Sequence, residues 1–325
     1  MNSHRFRSKD RSTWQGKPEA NLFHRESIDL ETKNGVRTVA FLIVLMKGST
    51  PLMRSLTWII LCVALSAPTF AGSPQPVVVF AGSASQPPLE EAAEVFQAKT
   101  GVPVILHMGG SGAMLSQIRL TGHGDLYIPG SPDYMEKAQA FGLVGNDVAI
   151  LAYLVPALLV PEGNPQGIIG LRDLSRTGLR VGFADPDGVC VGLYAVEILE
   201  VNELASTVRP NLKGMVESCA KAASMIPLKL VDVVIGWREF ASWKPEMIDA
   251  VLLEPEQVPR LAYIPAARLQ NAGNPQGADA FVEFLKSSEG QAIFRKWGYL
   301  TDEFAAREFA PRARIGGSYV LPQGW

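Results

Sequence analysis

Histidine and cysteine are scarce in this chain, four and three among 325 residues. No zinc-type spacing of these residues occurs, and neither a Walker phosphate loop nor a dinucleotide fingerprint is present. Net charge is also small: 30 Lys and Arg stand against 32 Asp and Glu, for a formal −2. Without a basic stripe, nucleic acid is not an expected partner. There is no internal repeat and no low-complexity tract. Long apolar runs are missing too. The most apolar stretch, Leu56 to Leu65, falls short of the ~20 residues that a membrane span needs.

What is present begins with an unusual amino end. Residues 1–45 are polar, carry Arg5, Arg7, Lys9 and Arg11, and show no sustained periodicity. After Met46-Lys47 and Met53-Arg54 comes the apolar run, followed by small residues at Thr69 and Ala71. A basic start, a short apolar core and small residues describe a secretory signal over 46–71, cleaved near Ala71. Residues 1–45 then read as an upstream extension ahead of the true start, and the protein as exported to the periplasm. A signal anchor stays open as the alternative, because Phe41 to Met46 is also apolar. Cys62 lies inside the signal core without the small residues before it that lipidation requires.

Beyond residue 72, short apolar runs alternate with helical patterns. Val77 to Ala81 reads as a strand. Leu89, Ala92, Ala93 and Phe96 fall on one face of a helix that Gly101 ends. Val102 to Leu106 reads as a buried strand, Ala113 to Leu120 as a helix, Leu126 to Ile128 as a strand, and Pro132 to Phe141 as a helix capped by Ser131. Val148 to Val160 can hold a strand crossing between two parts of the molecule. A second series follows, with strands at Leu179–Phe183 and Val231–Gly236 and helices over Gly188–Glu200 and Ser218–Met225. Val251–Leu253 and Leu261–Ile264 return the chain to the first part, and two helices close it before Tyr299. This alternation argues for an α/β architecture with mainly parallel sheets. The tail after Tyr299 gives no clear pattern.

Two turns carry the chemistry. Met108-Gly109-Gly110-Ser111-Gly112-Ala113 links a strand to a helix, and Ala81-Gly82-Ser83-Ala84-Ser85 does the same one unit earlier. A glycine-rich turn at a helix N-terminus offers free N–H groups, the positive end of the helix dipole and a hydroxyl, which together suit a small oxyanion.

In these segments the chain resembles the periplasmic molybdate/tungstate-binding proteins of ABC transporters, which have the type II periplasmic-binding fold. The likeness covers about 76–300. It includes Val79-Phe80-Ala81-Gly82-Ser83, Gly109 to Ala113, Gly124-Asp125-Leu126-Tyr127-Ile128, Val160 to Pro165, Asp185-Pro186, Gly192-Leu193-Tyr194-Ala195 and Ser288 to Phe294. It implies two lobes, 72–152 with 259–325 and 153–258, that enclose the anion and deliver it to a membrane permease and its ATPase. It implies no cofactor, no protein-ligated metal and a monomeric receptor.

Carried over residue by residue, the first serine site falls on Ser83, or on Ala84 flanked by Ser83 and Ser85 under an ungapped match. The second falls on Ser111. The backbone donor of the other lobe falls on Val191, and the next helix start near Glu217 or Ser218. The family's pocket tyrosine falls on Ile235, which has no hydroxyl, so Trp237 or Tyr194 is the candidate to fill that space. Cys190 and Cys219 each stand beside a presumed ligand-binding helix start. A disulfide between them, clamping the second-lobe loops, is the reading the export setting favours, and a redox-active pair is the alternative.

An acceptor-only dianion such as molybdate or tungstate wants donors without a necessary countercharge. Phosphate at neutral pH carries a proton that needs an acceptor. Sulfate has the same charge and geometry as molybdate but is smaller, so a receptor for sulfate, phosphate or a small carboxylate is the runner-up. Asp185 and Asp187 are expected to cap or to face solvent rather than point at an anion. A serine hydrolase using Ser111, suggested by Gly109-x-Ser111-x-Ala113, is a remote alternative. Its triad would need a later histidine, and only His107 and His123 are available beyond the signal, both close around the serine.

Overall fold

The computed structural model describes residues 74–325. The expected extension over 1–45, the signal over 46–71 and Cys62 therefore lie outside the described residues. Among the described residues, no helix is long and apolar enough to cross a membrane.

The chain opens with two βα units. Strand β1 (Val77–Gly82) leads through a turn at Ser83–Ser85 into helix α1 (Gln86–Thr100). Helix α1 buries Leu89, Ala92, Ala93 and Phe96 and ends at Gly101, whose φ of 74° is the left-handed conformation that glycine adopts without strain. Strand β2 (Val104–Gly109) then feeds helix α2 (Ser111–Thr121), and strand β3 (Leu126–Ile128) feeds helix α3 (Pro132–Ala140). Strands β2 and β3 both pair parallel to β1, one on each side. Because β2 is the sheet edge, Ile105 is 44% exposed and the strand is half-buried, not buried as its apolar sequence suggests.

The apolar stretch from residue 148 is two strands. β4 (Ala149–Leu154) and β5 (Pro156–Pro161) are separated by Val155, and they belong to different sheets. β4 pairs with β10 (Arg260–Arg268) in the first sheet, which runs β11-β10-β3-β1-β2 with β11 at Arg314–Ile315. β5 enters the second sheet, ordered β7-β6-β8-β5-β9, from β6 (Val181–Ala184), β7 (Leu212–Val216), β8 (Val233–Trp237) and β9 (Ile248–Leu252). The helices of this part are α4 (Cys190–Val201), α5 (Ala205–Val208) and α6 (Cys219–Ser224). β9 pairs with β5, so the segment around Val251 stays in the second sheet and β10 alone carries the chain back.

The pairing is mixed. Within each βα series the strands are parallel, whereas β10 pairs antiparallel with β3 and β4, and β5 with β8 and β9; β11 joins β10 in parallel. Helices α7 (Pro275–Lys286) and α8 (Ser288–Lys296) cover the first sheet, where Phe96 meets Phe281 edge to face at 5.1 Å. The tail adds α9 (Glu303–Arg307) and β11, and Trp325 packs on Phe183 at 5.6 Å between centroids. Fully burying one such aliphatic or aromatic side chain contributes roughly 1.5–3 kcal/mol. The larger of the two buried clusters runs through both sheets, joining Ala81 and Leu126 to Val189, Cys190 and Trp237.

Candidate functional site

Parallel strands β1, β2 and β3 end side by side, and each is followed by a turn and a helix. Open α/β sheets place ligands outside such carboxyl ends. The three turns present Ser83, Ser111 and Gly130-Ser131. Ser111 is the first residue of α2 and 1% exposed. Its Oγ accepts the Gly130 N–H at 3.1 Å, and its carbonyl accepts the Tyr127 hydroxyl at 2.8 Å. Ser83 is 2% exposed, and its Oγ accepts the Ala220 N–H at 3.1 Å. Both serine oxygens thus accept a backbone donor, which leaves each hydroxyl proton free to donate elsewhere.

The second sheet supplies the opposite wall. Helix α4 begins at Cys190 with Val191 next, both buried. Its first N–H groups have no carbonyl one turn earlier in the helix to bond. Helix α6 begins at Cys219 after Ser218, whose Oγ caps it by accepting the Lys221 N–H at 3.2 Å. The thiols of Cys190 and Cys219 lie 3.4 Å apart and are not bonded covalently. Burial pushes the Cys190 thiol well above the usual range and Cys219 adds to this, while the Trp237 indole N–H and the Val191 N–H act in the opposite sense. Trp237, at the end of β8, is fully buried and meets Tyr194 at 5.0 Å between centroids. Among the described residues the Tyr194 hydroxyl has no hydrogen-bond partner.

Close backbone approach holds the two walls together. The Gly112 N–H donates to the Gly188 carbonyl at 2.9 Å, and Tyr134 donates to the Asp187 carbonyl at 2.9 Å. A Cβ at Gly110 would lie 2.6 Å from the Glu217 carbonyl oxygen, and one at Gly130 would lie 2.6 Å from Cys190 Sγ. Only glycine fits at either position.

Of the residues expected from sequence, Ser83, Ser111, Val191 and Trp237 meet around this junction, with Cys190 and Cys219 between them. Ser218 serves its own helix as a cap. Ser85 is turned into its own loop, donating to the Gly82 carbonyl at 3.4 Å. Ile235 is buried in a different cluster, with Val181, Phe183 and Val196, whereas Trp237 at the end of β8 belongs to the cluster that holds Ala81 and Cys190. Asp185 accepts the Asp187 N–H at 3.1 Å and so closes its own turn. Ser131 stands at the start of α3, but its side chain makes no cap bond. The Gly130 N–H escaped the sequence reading. Its signal was Pro129-Gly130-Ser131-Pro132, a third strand-to-helix turn of the same kind as the first two.

The serines stand apart from the buried charges. Asp125 accepts the Val78 and Asn274 N–H groups at 2.7 Å each. Arg260, fully buried, bonds Asp133 at 3.0 Å and Glu197 at 2.6 Å, and also reaches the Gly317 carbonyl. Glu239 pairs with Arg238 at 3.0 Å. Among the described residues, no group of three or more His, Cys, Asp or Glu is placed to hold a metal ion. His107, one of the two histidines near the serine, stacks on Phe80 at 4.9 Å. A site of hydroxyls, backbone N–H groups and an indole can donate to an acceptor-only ligand.

The family model described as "Bacterial extracellular solute-binding protein" matches residues 77–300. A molybdate-binding protein, ModA, of Rhodobacter capsulatus is 25% identical over 259 residues, 76% of this chain and 95% of its own length. Two solved structures share the fold. The periplasmic molybdate-binding protein of Azotobacter vinelandii superposes with a TM-score of 0.62 at 17% identity, over 70% of this chain and all of that one. The sulfate-binding protein SubI of Mycobacterium tuberculosis gives 0.64 at 18%, over 75% and 94%.

Proposed function

The chain belongs to the bacterial extracellular solute-binding proteins, and from that premise we propose that it captures a tetrahedral oxyanion, molybdate or tungstate, for delivery to an ABC permease. It has the type II periplasmic-binding fold and is the solute-binding component of such a transporter, not an enzyme. The observation that carries the ligand reading is the pair of buried serines. Ser83 and Ser111 each accept a backbone N–H, and each keeps its hydroxyl proton to donate, beside the start of α4.

A dianion without protons can accept from all of these groups. Monoprotonated phosphate would bring a donor of its own to a donor surface, and each buried polar group left unmatched costs about 1–3 kcal/mol. The molybdate-binding relative supports molybdate, and the sulfate-binding structural neighbour makes sulfate the competitor to test.

In this reading the segments 72–152 with 259–325 and 153–258 are the two lobes. They meet at the Ser83–Ala220 and Gly112–Gly188 contacts when closed, and ligand affinity sets the closed population. Ser83, Ser111, Val191 and Trp237 line the ligand, while Ser85 and Ser218 shape the turns around it. Residues 46–71 direct export to the periplasm, and the receptor acts as a monomer.

Isothermal titration with molybdate, tungstate, sulfate and phosphate tests the assignment. One equivalent of molybdate or tungstate should bind at least tenfold tighter than sulfate, and phosphate least. Equal or tighter binding of sulfate, or no response to any of the four, would overturn it.

A further inference from the structure

We propose that Arg260 is a buried latch between the two lobes, binding Asp133 of one and Glu197 of the other, and that this bridge slows release of the anion. The inference rests on the two-lobe anion reading above and assigns positioning residues that set its off-rate. Asp133 stands in the first turn of α3, just after the Gly130 whose N–H meets Ser111. Glu197 stands in α4. The two side chains ride on different cores. Tyr134, Met135 and Ala138 of α3 are buried with Ala81 and Leu126 of the first sheet. Val196, Ile198 and Leu199, which flank Glu197, are buried with Val181 and Phe183 of the second.

Arg260, the first residue of β10, reaches both carboxylates. Its Nη1 donates to Asp133 Oδ1 at 3.0 Å and its Nε to Glu197 Oε2 at 2.6 Å. The tail completes the socket. The Gly317 carbonyl accepts from the same Nη1, and the Tyr319 N–H donates to Asp133 Oδ1 at 3.1 Å. The guanidinium carbon lies 4.1 Å from the centroid of the Tyr194 ring of α4. Asp133, Glu197 and Arg260 are 2%, 3% and 0% exposed, so all three charges are out of water. Holding two carboxylates on one cation uses the rigid fork of donors that arginine has and lysine lacks.

Opening that carries α3 away from α4 draws the two carboxylates apart, and the arginine can follow only one of them. Breaking a buried ion pair is costly while either charge remains out of water. The bridge therefore favours the closed form and lowers the rate of opening, which lengthens the residence of the anion. Encounter between free anion and the open lobes does not involve it. The latch thus acts on release and not on association.

Radiolabelled tungstate is the probe, and filter-binding time courses give its association and dissociation rates. Asp133→Asn removes the charge and keeps the shape. Oδ2 of Asp133 has no hydrogen-bond partner among the described residues, so the amide oxygen can take over both bonds that Oδ1 accepts. Glu197→Gln weakens the bridge from the other lobe. Each variant should release tungstate roughly fivefold faster or more, with association changed less than about twofold. The double variant should release it no faster than the faster single one, because both substitutions break the same bridge. Asp232→Asn, which weakens the Arg180–Asp232 pair within 153–258, should leave both rates unchanged. Wild-type release rates in the two single variants, multiplied effects in the double variant, or equally fast release in Asp232→Asn would overturn the latch and leave the anion reading standing. If one single variant does not fold, the release rate of the other decides. Silence of the wild-type protein toward tungstate, molybdate, sulfate and phosphate would overturn the two together.

Discussion

Replacing Ser111 by Ala isolates one hydroxyl whose two roles separate cleanly. Its oxygen accepts the Gly130 N–H at 3.1 Å inside a residue that is 1% exposed. Losing that acceptor leaves a buried backbone donor unpaired, which costs about 1–3 kcal/mol of folding stability. In the proposed bound state the hydroxyl proton is donated to a charged acceptor, and a hydrogen bond to a charged group is worth about 1.5–3 kcal/mol. With 1.4 kcal/mol per factor of ten, molybdate or tungstate affinity should fall roughly 10- to 150-fold.

The stability loss is read from urea unfolding without anion and the affinity loss from calorimetry at a temperature where the variant is fully folded. Ser85→Ala is the internal comparison. Its hydroxyl serves only the Gly82 carbonyl at 3.4 Å within its own turn, so its affinity should change less than about threefold. Unchanged affinity in Ser111→Ala, or an equal loss in Ser85→Ala, would refute the assignment of Ser111 as a ligand donor.

Three further outcomes are expected. Gly130→Ala sets a methyl group 2.6 Å from Cys190 Sγ and 2.8 Å from the Ala84 Cβ. It should destabilise the protein by about 1–3 kcal/mol through overpacking and depress anion binding, as unfolding and titration would show. Arg260→Ala strips the cation from buried Asp133 and Glu197. A loss of about 3–5 kcal/mol in unfolding free energy is expected, and a loss below 1 kcal/mol would contradict it. Glu239 is fully buried, and its carboxyl is pushed from 4.5 up to about 7, chiefly by burial, with Arg238 opposing. The folded state therefore holds the proton longer than the unfolded chain does. Between about pH 4.5 and 7 the unfolded state releases it first, so stability falls as pH rises through that window, by about 3 kcal/mol in total. Glu239→Gln should flatten this slope, and an identical slope in the variant would rule the residue out as its source.

Much of the scaffold is legible in the chain. Helix α1 follows from Leu89, Ala92, Ala93 and Phe96 at helical spacing, with Gly101 as its stop. Ser111 stands out because a strand, three glycines and a helix surround it. Errors arose where composition does not distinguish environments. Val102 to Leu106 is apolar enough to read as buried, yet its strand is an edge. Val148 to Val160 looks like one run because a break of a single residue leaves no hydrophobic gap. The segment around Val251 remains in the second sheet because its partner, β5, lies nearly a hundred residues earlier, beyond any local pattern. In the site, Ser83 and Ser85 are equivalent hydroxyls in sequence, and only the turn geometry sends one toward Ala220 and the other into its own loop.

The sequence by itself determined the alternation of strand and helix, the serine-bearing turns after β1 and β2, and the poverty of metal ligands and charge. These are local properties, set by side-chain period, glycine conformation and residue type. The tertiary structure decided what those turns face. It brought the Gly130 N–H to Ser111, Ala220 to Ser83 and Cys190 to Cys219, and it placed Trp237 and Ile235 in different buried clusters. Each is set by contacts between residues far apart in the chain. Such contacts exist only once the two sheets have packed against each other, because burial, not propensity, selects them.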